Sequence, residues 1–268
     1  MLVLGSLRDS GRIAVVEMFG ALGSTVRTVE FVRAFRRLEE SARIRAVVVD
    51  IDSPGGSVAA ADYLHRALAR VSAKKPVVAF IRGTGASGGY LLSCAATKIV
   101  ALPSAMVGSI GVISIRPLLY DLMRKWGIRV SVTKSGRLKD MWSFFREPTP
   151  EEREKEQALL DEFYERFISI VAESRKLPLE KARGIATGEV FSAGKAREMG
   201  LVDELGDLDT AIDIAMELGE VPRRISYVRP RRGLRERLLS QVMVALVEEV
   251  SAAVERGMRG RIDYHSLR

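Results

Sequence analysis

Residues 76–90 read PVVAFIRGTGASGGY, a short apolar run that leads into a turn of small residues. The run at 76–81 has the length and the β-branched content of a buried strand. Glycines adopt backbone conformations that other residues avoid, so they permit a tight turn from this strand into a helix. Ser87 would then stand exposed at the end of the strand. Ser87 could instead simply cap the helix, and these residues leave both interpretations open.

Strand and helix patterns alternate along the first hundred residues. Short apolar runs at 13–16 and 46–51 predict buried strands, whereas 25–42 and 58–71 show the three- and four-residue apolar spacing of helices. Strands that alternate with helices are typical of a parallel sheet covered by helices. We therefore predict an α/β fold whose sheet contains these two strands and the strand at 76–81.

The middle of the chain contains further predicted elements. Thr149, Pro150 and Glu152 form a capping-box signature, which predicts a long helix over 150–176 that Pro178 ends. Apolar runs before it predict three short strands and one helix, and the last of these strands leads into KSGRLKDM. The strands are predicted at 99–102, 110–115 and 128–133, and the helix at 116–126.

Few groups in the chain could activate a serine hydroxyl. It has only two histidines, His65 in a helical pattern and His265 in the basic C-terminal segment. A serine becomes a nucleophile when an adjacent base takes its proton, and a lysine kept neutral by burial is that base in Ser-Lys enzymes. Lys139, in KSGRLKDM, is therefore the candidate base for Ser87, and Lys134 in the same stretch is its rival.

The stretch DSPGG at 52–56 forms a second glycine-rich turn between a predicted strand and a predicted helix. Backbone N–H groups turned outward at such a turn suit an oxyanion hole, which binds the negative oxygen of a tetrahedral intermediate. We expect the N–H groups of Gly55 and Gly88 to face the same carbonyl oxygen. A purely structural turn and a phosphate-binding turn are the alternatives.

The composition indicates a globular protein without a metal or a cofactor. The chain is 47% apolar and 28% charged, and its single cysteine, Cys94, excludes an internal disulfide. Two histidines and one cysteine give little basis for a zinc site, so we expect no metal and no cofactor. We expect Cys94 to be a small buried apolar residue and Asp203 to hold a turn without a catalytic role.

The sequence shows no segment suited to crossing a membrane. No run of about 18 apolar residues is present. The start, residues 1–12, is too short and too polar for a signal peptide. We therefore expect a soluble or peripheral protein, with any membrane anchor either lacking or outside the given sequence.

The C-terminal segment 222–268 holds most of the net charge of +8, with eleven arginines against five acidic residues. Residues 233–257 have the apolar spacing of an amphipathic helix. We predict two domains, a core at 1–221 and this basic helical tail at 222–268. The helix would pack against another subunit. Contact with an anionic membrane surface is the alternative, and nucleic-acid binding is disfavoured because few aromatic residues are interleaved with the arginines.

Five motifs together resemble the signal peptide peptidase A (protease IV) family, whose members are Ser-Lys peptidases of the ClpP/crotonase fold. They are DSPGG, ASGGY, GSIGV, KSGRLKD and FSAGKAREMGLVDELG, in this order, and the similarity covers about residues 12–218. The resemblance implies that Ser87 is the nucleophile and Lys139 the general base. It further implies that Gly55 and Gly88 are the oxyanion donors and that Ser109 helps to orient the lysine.

The resemblance also implies an ATP-independent serine endopeptidase that degrades signal peptides or other short, apolar, extended peptides. It implies a ring-like homo-oligomer, in which the dyad forms within one chain or between two. An acyl-CoA crotonase-type enzyme and a non-catalytic scaffold subunit of membrane quality control are the alternatives. The family is membrane-associated, whereas this sequence shows no transmembrane segment or signal peptide, so its localisation stays open. Asp52 replaces the asparagine common before SPGG, and Trp142 stands where many relatives have a small residue.

Overall fold

A sheet of eight strands forms the centre of residues 11–228, the part of the chain that the computed structural model describes. The strand order is β6-β5-β3-β2-β1-β8, and β4 joins β3 to β7 beside this row. All paired strands run parallel except β5 and β6. The strands are β1 (Arg12–Phe19), β2 (Ile44–Ser53), β3 (Val77–Ala86), β4 (Lys98–Ala101), β5 (Met106–Gly108), β6 (Val190–Ser192), β7 (Glu204–Leu205) and β8 (Ile225–Val228).

Eight helices in the described residues connect or cover these strands. The longest, α5, begins with the predicted capping box: Glu152 N–H donates to Thr149 Oγ1 at 3.2 Å, and Thr149 N–H donates to Glu152 Oε2 at 2.8 Å. The helices are α1 (Thr28–Glu40), α2 (Val58–Ser72), α3 (Gly88–Ser93), α4 (Tyr120–Lys125), α5 (Pro150–Arg175), α6 (Leu179–Ile185), α7 (Ala193–Met199) and α8 (Leu208–Gly219).

Each of the central strands β1, β2 and β3 contains a continuous apolar run, because both faces of the sheet are covered. On β1, Ala14 and Val16 belong to the larger core, which includes residues of α1, α2 and α3. The alternate residues Ile13 and Val15 belong to a smaller core that includes residues of α8. Successive side chains of a strand point to opposite faces, so a strand buried on both sides reads as a continuous apolar run. The predicted α/β fold with its parallel strands β1, β2 and β3 is confirmed.

Residues 112–148, here called the arm, differ from the prediction. The expected strands at 110–115 and 128–133 are absent from the described structure, and the expected helix at 116–126 is limited to α4. The arm leaves large apolar side chains exposed, including Ile115 at 83% and Trp126 at 72%. A strand needs a neighbour for its backbone hydrogen bonds, and within the described residues of this chain the arm has none.

The sheet also continues beyond the predicted end of the core domain. β8 pairs in parallel with β1, from Ile13 opposite Ile225 to Val16 opposite Val228. The core therefore includes residues past 221, and the division into domains at 1–221 and 222–268 stays a prediction. The predicted tail helix at 233–257 lies outside the described residues. Among residues 11–228, no helix is both long enough and apolar enough to cross a membrane.

Candidate active site

Ser87 occupies a sharp turn between β3 and α3. Its backbone has a φ of 50°, in the left-handed region that residues with a side chain rarely adopt. Its N–H donates to the carbonyl oxygen of Gly108 at 2.8 Å, and its own carbonyl accepts from Leu91 N–H at 2.9 Å. A strained strand-to-helix turn of this kind holds a side chain out at the end of a sheet, as a serine nucleophile requires.

The two glycines after Ser87 allow α3 to pack closely on its surroundings. A Cβ atom on Gly88 would lie 2.9 Å from Ala61 Cβ in α2. A Cβ atom on Gly89 would lie 2.6 Å from the carbonyl oxygen of Ser53, at the end of β2. A side chain at Gly88 would push α3 away from α2, and one at Gly89 would push it away from the sheet. The sequence ASGG therefore fixes where the hydroxyl of Ser87 stands.

The DSPGG turn lies directly beside Ser87. A Cβ atom on Gly55 would lie 2.8 Å both from Ser87 Cβ and from Gly88 N. The turn is held by Leu22, whose N–H donates to Gly55 O at 2.7 Å and whose carbonyl accepts from Ser57 N–H at 3.1 Å. Both glycines of the turn have positive φ, 98° for Gly55 and 151° for Gly56. Other residues would strain this backbone.

The two glycines of this turn differ in what their N–H groups bind. Gly55 N–H donates to Ser53 Oγ at 3.2 Å. A trans peptide holds its carbonyl and its N–H in opposite directions, so Gly56 N–H points away from Leu22, to which Gly55 O is bound. Gly56 lines the same pocket as Ser87, and Gly55 is not among the lining residues.

An apolar pocket of about 50 Å³ opens beside Ser87. Its walls come mainly from α2, α3 and α5, with Ala61, Leu91, Phe163, Phe167 and Ile170 among the lining side chains. Two charged residues also line it, Asp62 and Arg166, and they pair with each other at 2.6 Å between Asp62 Oδ1 and Arg166 Nη2. The pocket therefore suits an uncharged, compact side chain next to the serine.

Lys139 lies in the arm and is exposed. In the part of the chain that the structure describes, its Nζ makes no hydrogen bond or ion pair, and it does not line the Ser87 pocket. The rival Lys134 differs, because its Nζ is paired with Asp140 and donates to Arg137 O at 2.9 Å. The Nζ of Lys134 is thus engaged by contacts within the arm, whereas that of Lys139 is not.

The arm is attached to the first turns of α5. Ser114 Oγ donates to Glu156 Oε1 at 2.6 Å, and Arg116 Nη2 lies 3.3 Å from Glu156 Oε2. The pocket is lined by α5 residues from Phe163 onward. With a rise of about 1.5 Å per residue, roughly 16 Å of helix separates Glu152, near the arm, from Phe163. The arm begins at the pocket, which Val112 lines, and it runs from there to the first turns of α5, away from the serine of its own chain.

Ser109 stands next to the carbonyl that anchors Ser87. Its φ is 49°, and its N–H donates to Glu189 O at 2.7 Å. The preceding Gly108 accepts the N–H of Ser87. Ser109 is thus placed near Ser87, while its role in orienting the lysine stays a prediction.

The profile of peptidase family S49 matches residues 69–222, more than half of the chain. The chain belongs to peptidase family S49. The profile of Clp protease also matches residues 21–108. The resemblance to signal peptide peptidase A and the ClpP-type fold expected from the sequence are thereby confirmed.

Individual relatives agree with this S49 assignment. The chain is 39% identical over 192 residues to "Putative protease MJ0651" of Methanocaldococcus jannaschii, covering 71% of this chain and 62% of that protein. It is 29% identical over 276 residues to "Serine protease SPPA, chloroplastic" of Arabidopsis thaliana, covering 97% of this chain and 40% of that protein. The S49 chain thus spans less than two thirds of either relative.

A solved structure shows the same fold. A mutant form of the membrane-bound stomatin-specific protease 1510-N superposes with a TM-score of 0.56 at 14% identity, over 83% of the S49 chain and 99% of that structure. At this identity the likeness concerns the fold.

Three further residues that the sequence singled out, Cys94, His65 and Asp203, lie in surroundings typical of structural residues. Burial raises the pKa of the Cys94 thiol to about 11, which leaves it protonated and unreactive. Burial lowers the pKa of His65, which is partly buried on α2. Asp203 accepts from Ile99 N–H at 2.8 Å and from Arg175 Nη1 at 2.9 Å, so it ties its own segment to β4 and to the end of α5. Its expected role in holding a turn stays a prediction.

Proposed function

We propose that this S49 chain is a serine endopeptidase that uses Ser87 as its nucleophile. The observation that carries this proposal is the strained turn at Ser87, which lies against the DSPGG turn and opens onto an apolar pocket. A peptide whose side chain fills the pocket would have its carbonyl carbon next to Ser87 Oγ. Attack on that carbon gives a tetrahedral intermediate and then an acyl-enzyme.

The negative oxygen of the intermediate would be bound by two backbone N–H groups. Gly88 is the first residue of α3, so its N–H has no acceptor within the helix. For the second donor, the N–H of Gly55 is already bound to Ser53 Oγ, whereas Gly56 lines the pocket. We therefore propose Gly56 and Gly88 as the oxyanion donors, with Gly55 shaping the turn.

Lys139 is the proposed base, and we propose that it acts on Ser87 of a neighbouring protomer. Arg146 ties Asp140, the residue after Lys139, to Glu152. Roughly 16 Å of α5 separates Glu152 from Phe163 at the pocket, which is longer than a lysine side chain. The arm also exposes apolar side chains such as Ile115 and Trp126, which a second copy of the chain would cover. A head-to-tail contact of this kind forms a ring when the rotation between neighbours closes, and a ring is the assembly that we propose.

In the assembled site, neutral Lys139 would take the proton of Ser87 as the hydroxyl attacks. The same proton then passes to the leaving amine, which releases the first product. Lys139 next takes a proton from a water molecule that attacks the acyl-enzyme, and the proton returns to Ser87 as the ester bond breaks. These steps need neither ATP nor a metal.

The proposed substrates are short apolar peptides in an extended conformation, including remnants of signal peptides. The apolar pocket beside Ser87 accepts one side chain of the peptide, and an extended backbone can add as a strand beside the sheet. The Asp62–Arg166 ion pair is satisfied internally, so it offers no free charge to bind a charged side chain.

Labelling with a fluorophosphonate tests this function. The reagent should modify the native protein at Ser87, as read by mass spectrometry, and should not modify Ser87→Ala. Both proteins should be compared on a fluorogenic peptide with an apolar residue before the scissile bond. A folded native protein that neither reacts nor cleaves any apolar peptide would refute the proposal and favour a non-catalytic scaffold.

A further inference from the structure

We propose that Arg146 is a positioning residue for the base: it ties the stretch that carries Lys139 to the first turn of α5. The inference rests on the proposed function, in which Lys139 acts as the base. It assigns a task to Arg146, Asp140 and Glu152, none of which lines the Ser87 pocket.

Arg146 binds two carboxylates at once. Its Nη1 and Nη2 donate to Glu152 Oε2 at 2.8 Å and Oε1 at 2.5 Å. Its Nε donates to Asp140 Oδ2 at 3.0 Å, and Nη2 also donates to the carbonyl oxygen of Asp140 at 3.3 Å. A guanidinium group holds carboxylates in fixed geometry because its donors form a rigid fork. Asp140 is the residue directly after Lys139, so this fork fixes the backbone next to the base.

The other end of the bridge is firmly placed. Glu152 is only 3% exposed and closes the capping box with Thr149. The remainder of the 26-residue helix α5 runs on to the pocket of its own chain, which Phe163 and Phe167 line. Arg146 therefore connects the part of the arm that carries Lys139, which has no regular strand, to a rigid helix.

The same bridge leaves Lys139 without a counter-ion. In the stretch 134–140, as the structure describes it, the other charged side chains are all paired: Lys134 with Asp140, and Arg137 with Glu151. Asp140 has two cationic partners, since Arg146 binds it as well. A carboxylate held in this way cannot turn to Lys139 and stabilise its protonated form, which would oppose its use as a base.

The first test compares kinetic constants of native protein and Arg146→Ala on one peptide. Loss of the fork leaves Lys139 on an untethered stretch, so kcat should fall by about 30-fold or more while KM stays within about threefold. Arg146→Lys keeps the charge but not the fork, and should recover part of the kcat. The matched control is Arg153→Ala, because Arg153 pairs with Glu147 at 3.0 Å in the same region without touching Asp140.

The second test measures how kcat depends on pH. If Arg146 only stabilised the fold, its loss would not shift this pH profile. In Arg146→Ala the carboxylate of Asp140 loses one cationic partner and becomes available to protonated Lys139. The rising limb of kcat should therefore move to higher pH, and adding Asp140→Asn should move it back. The charged groups around Asp140 are Lys134, Arg137, Arg146, Glu151 and Glu152, with Arg116 and Glu156 beside Met141.

Two results would overturn the proposal. One is a folded Arg146→Ala protein with kcat within twofold of native; the other is a lower kcat with an unmoved pH limb. If Arg146→Ala does not fold, Asp140→Asn replaces it, because it leaves the Arg146–Glu152 pair intact and should still lower kcat about tenfold or more. Lys139→Ala distinguishes a failure of the positioning role of Arg146 from a failure of the proposed function. If Lys139→Ala stays active, Lys139 is not the base.

Discussion

The backbone N–H of Ser87 donates a hydrogen bond of 2.8 Å to the carbonyl oxygen of Gly108. Both residues have positive φ, 50° for Ser87 and 117° for Gly108. The bond therefore joins two unusual turns, one after β3 and one after β5, and it holds the serine in its strained conformation. A Cβ atom on Gly108 would lie 2.9 Å from Glu189 O, so this position of the GSIGV motif, which supports Ser87 through its backbone, has room only for glycine.

Substitution of Phe163 should change which peptides are cleaved. Phe163→Ala removes a ring from the wall of the pocket beside Ser87 and enlarges it. The ratio of kcat/KM for peptides with phenylalanine to those with alanine before the scissile bond should rise by about tenfold or more. Paired assays on these two peptides measure it. An unchanged ratio would show that this pocket does not receive the substrate's side chain.

Asp203 should matter for stability and not for catalysis. Asp203→Ala leaves the guanidinium of Arg175, which is 8% exposed, without its carboxylate partner. The free energy of unfolding should fall by about 3 kcal/mol, because a largely buried charge is left uncompensated. Urea unfolding checks this value. Lys98→Ala is the control, since its exposed pair with Asp203 at 3.4 Å should contribute less than about 1 kcal/mol. A drop in kcat without a drop in stability would contradict the assignment.

The hydrogen bonds of Glu152, to Arg146 first and then within the capping box of α5, should make stability depend on pH in the acid range. Hydrogen bonds from Arg146, and then from Thr149, lower the pKa of Glu152 from 4.5 to about 2. A carboxyl group whose pKa is lower in the folded state stabilises the fold above pH 4.5, and this contribution is lost as the pH falls towards 2. The melting temperature of Glu152→Gln should lie below that of the native protein at about pH 7. The difference in melting temperature between the two proteins should shrink as the pH falls from 4.5 to 2. A difference that stays constant would show that the ionised Glu152 carboxylate is not the source of the stabilisation.

The activity should rise with pH, because Lys139 must be neutral to take the proton of Ser87. Lys139→Ala and Lys139→Arg should each lower kcat by about 100-fold or more, since arginine stays charged and cannot replace the base. Peptide hydrolysis from about pH 6 to 9 measures the profile, with circular dichroism as the control for folding. Turnover that falls steadily over this range in folded protein would exclude a lysine base.

The core of the fold was predictable because its signals are local. Strands buried on both faces read as apolar runs, and β1, β2 and β3 lie where those runs lie. The start of α5 follows from Thr149, Pro150 and Glu152, whose capping bonds span only three residues. The position of Ser87 between β3 and α3 follows from the same kind of pattern.

The remaining features depend on contacts between residues distant in sequence. The arm has the apolar pattern of strands and a helix, but within the described part of one chain it has no neighbour to pair with. The choice between Gly55 and Gly56 depends on the peptide orientation that Leu22 fixes, which glycine spacing does not reveal. The Arg146 bridge joins Asp140 and Glu152, and no motif predicted that these two residues share one arginine.

Mixing two inactive variants tests the central claim, that Ser87 of one protomer works with Lys139 of the next. Ser87→Ala and Lys139→Ala proteins are dissociated, combined in equal amounts and reassembled, and peptide hydrolysis is measured. Random mixing should restore about a quarter of the native activity, because a site needs an intact serine from one chain and an intact lysine from its neighbour. Each variant reassembled alone should stay inactive. Mixed oligomers, verified by mass spectrometry, that show no recovery would place both residues of each dyad in one chain and contradict the claim.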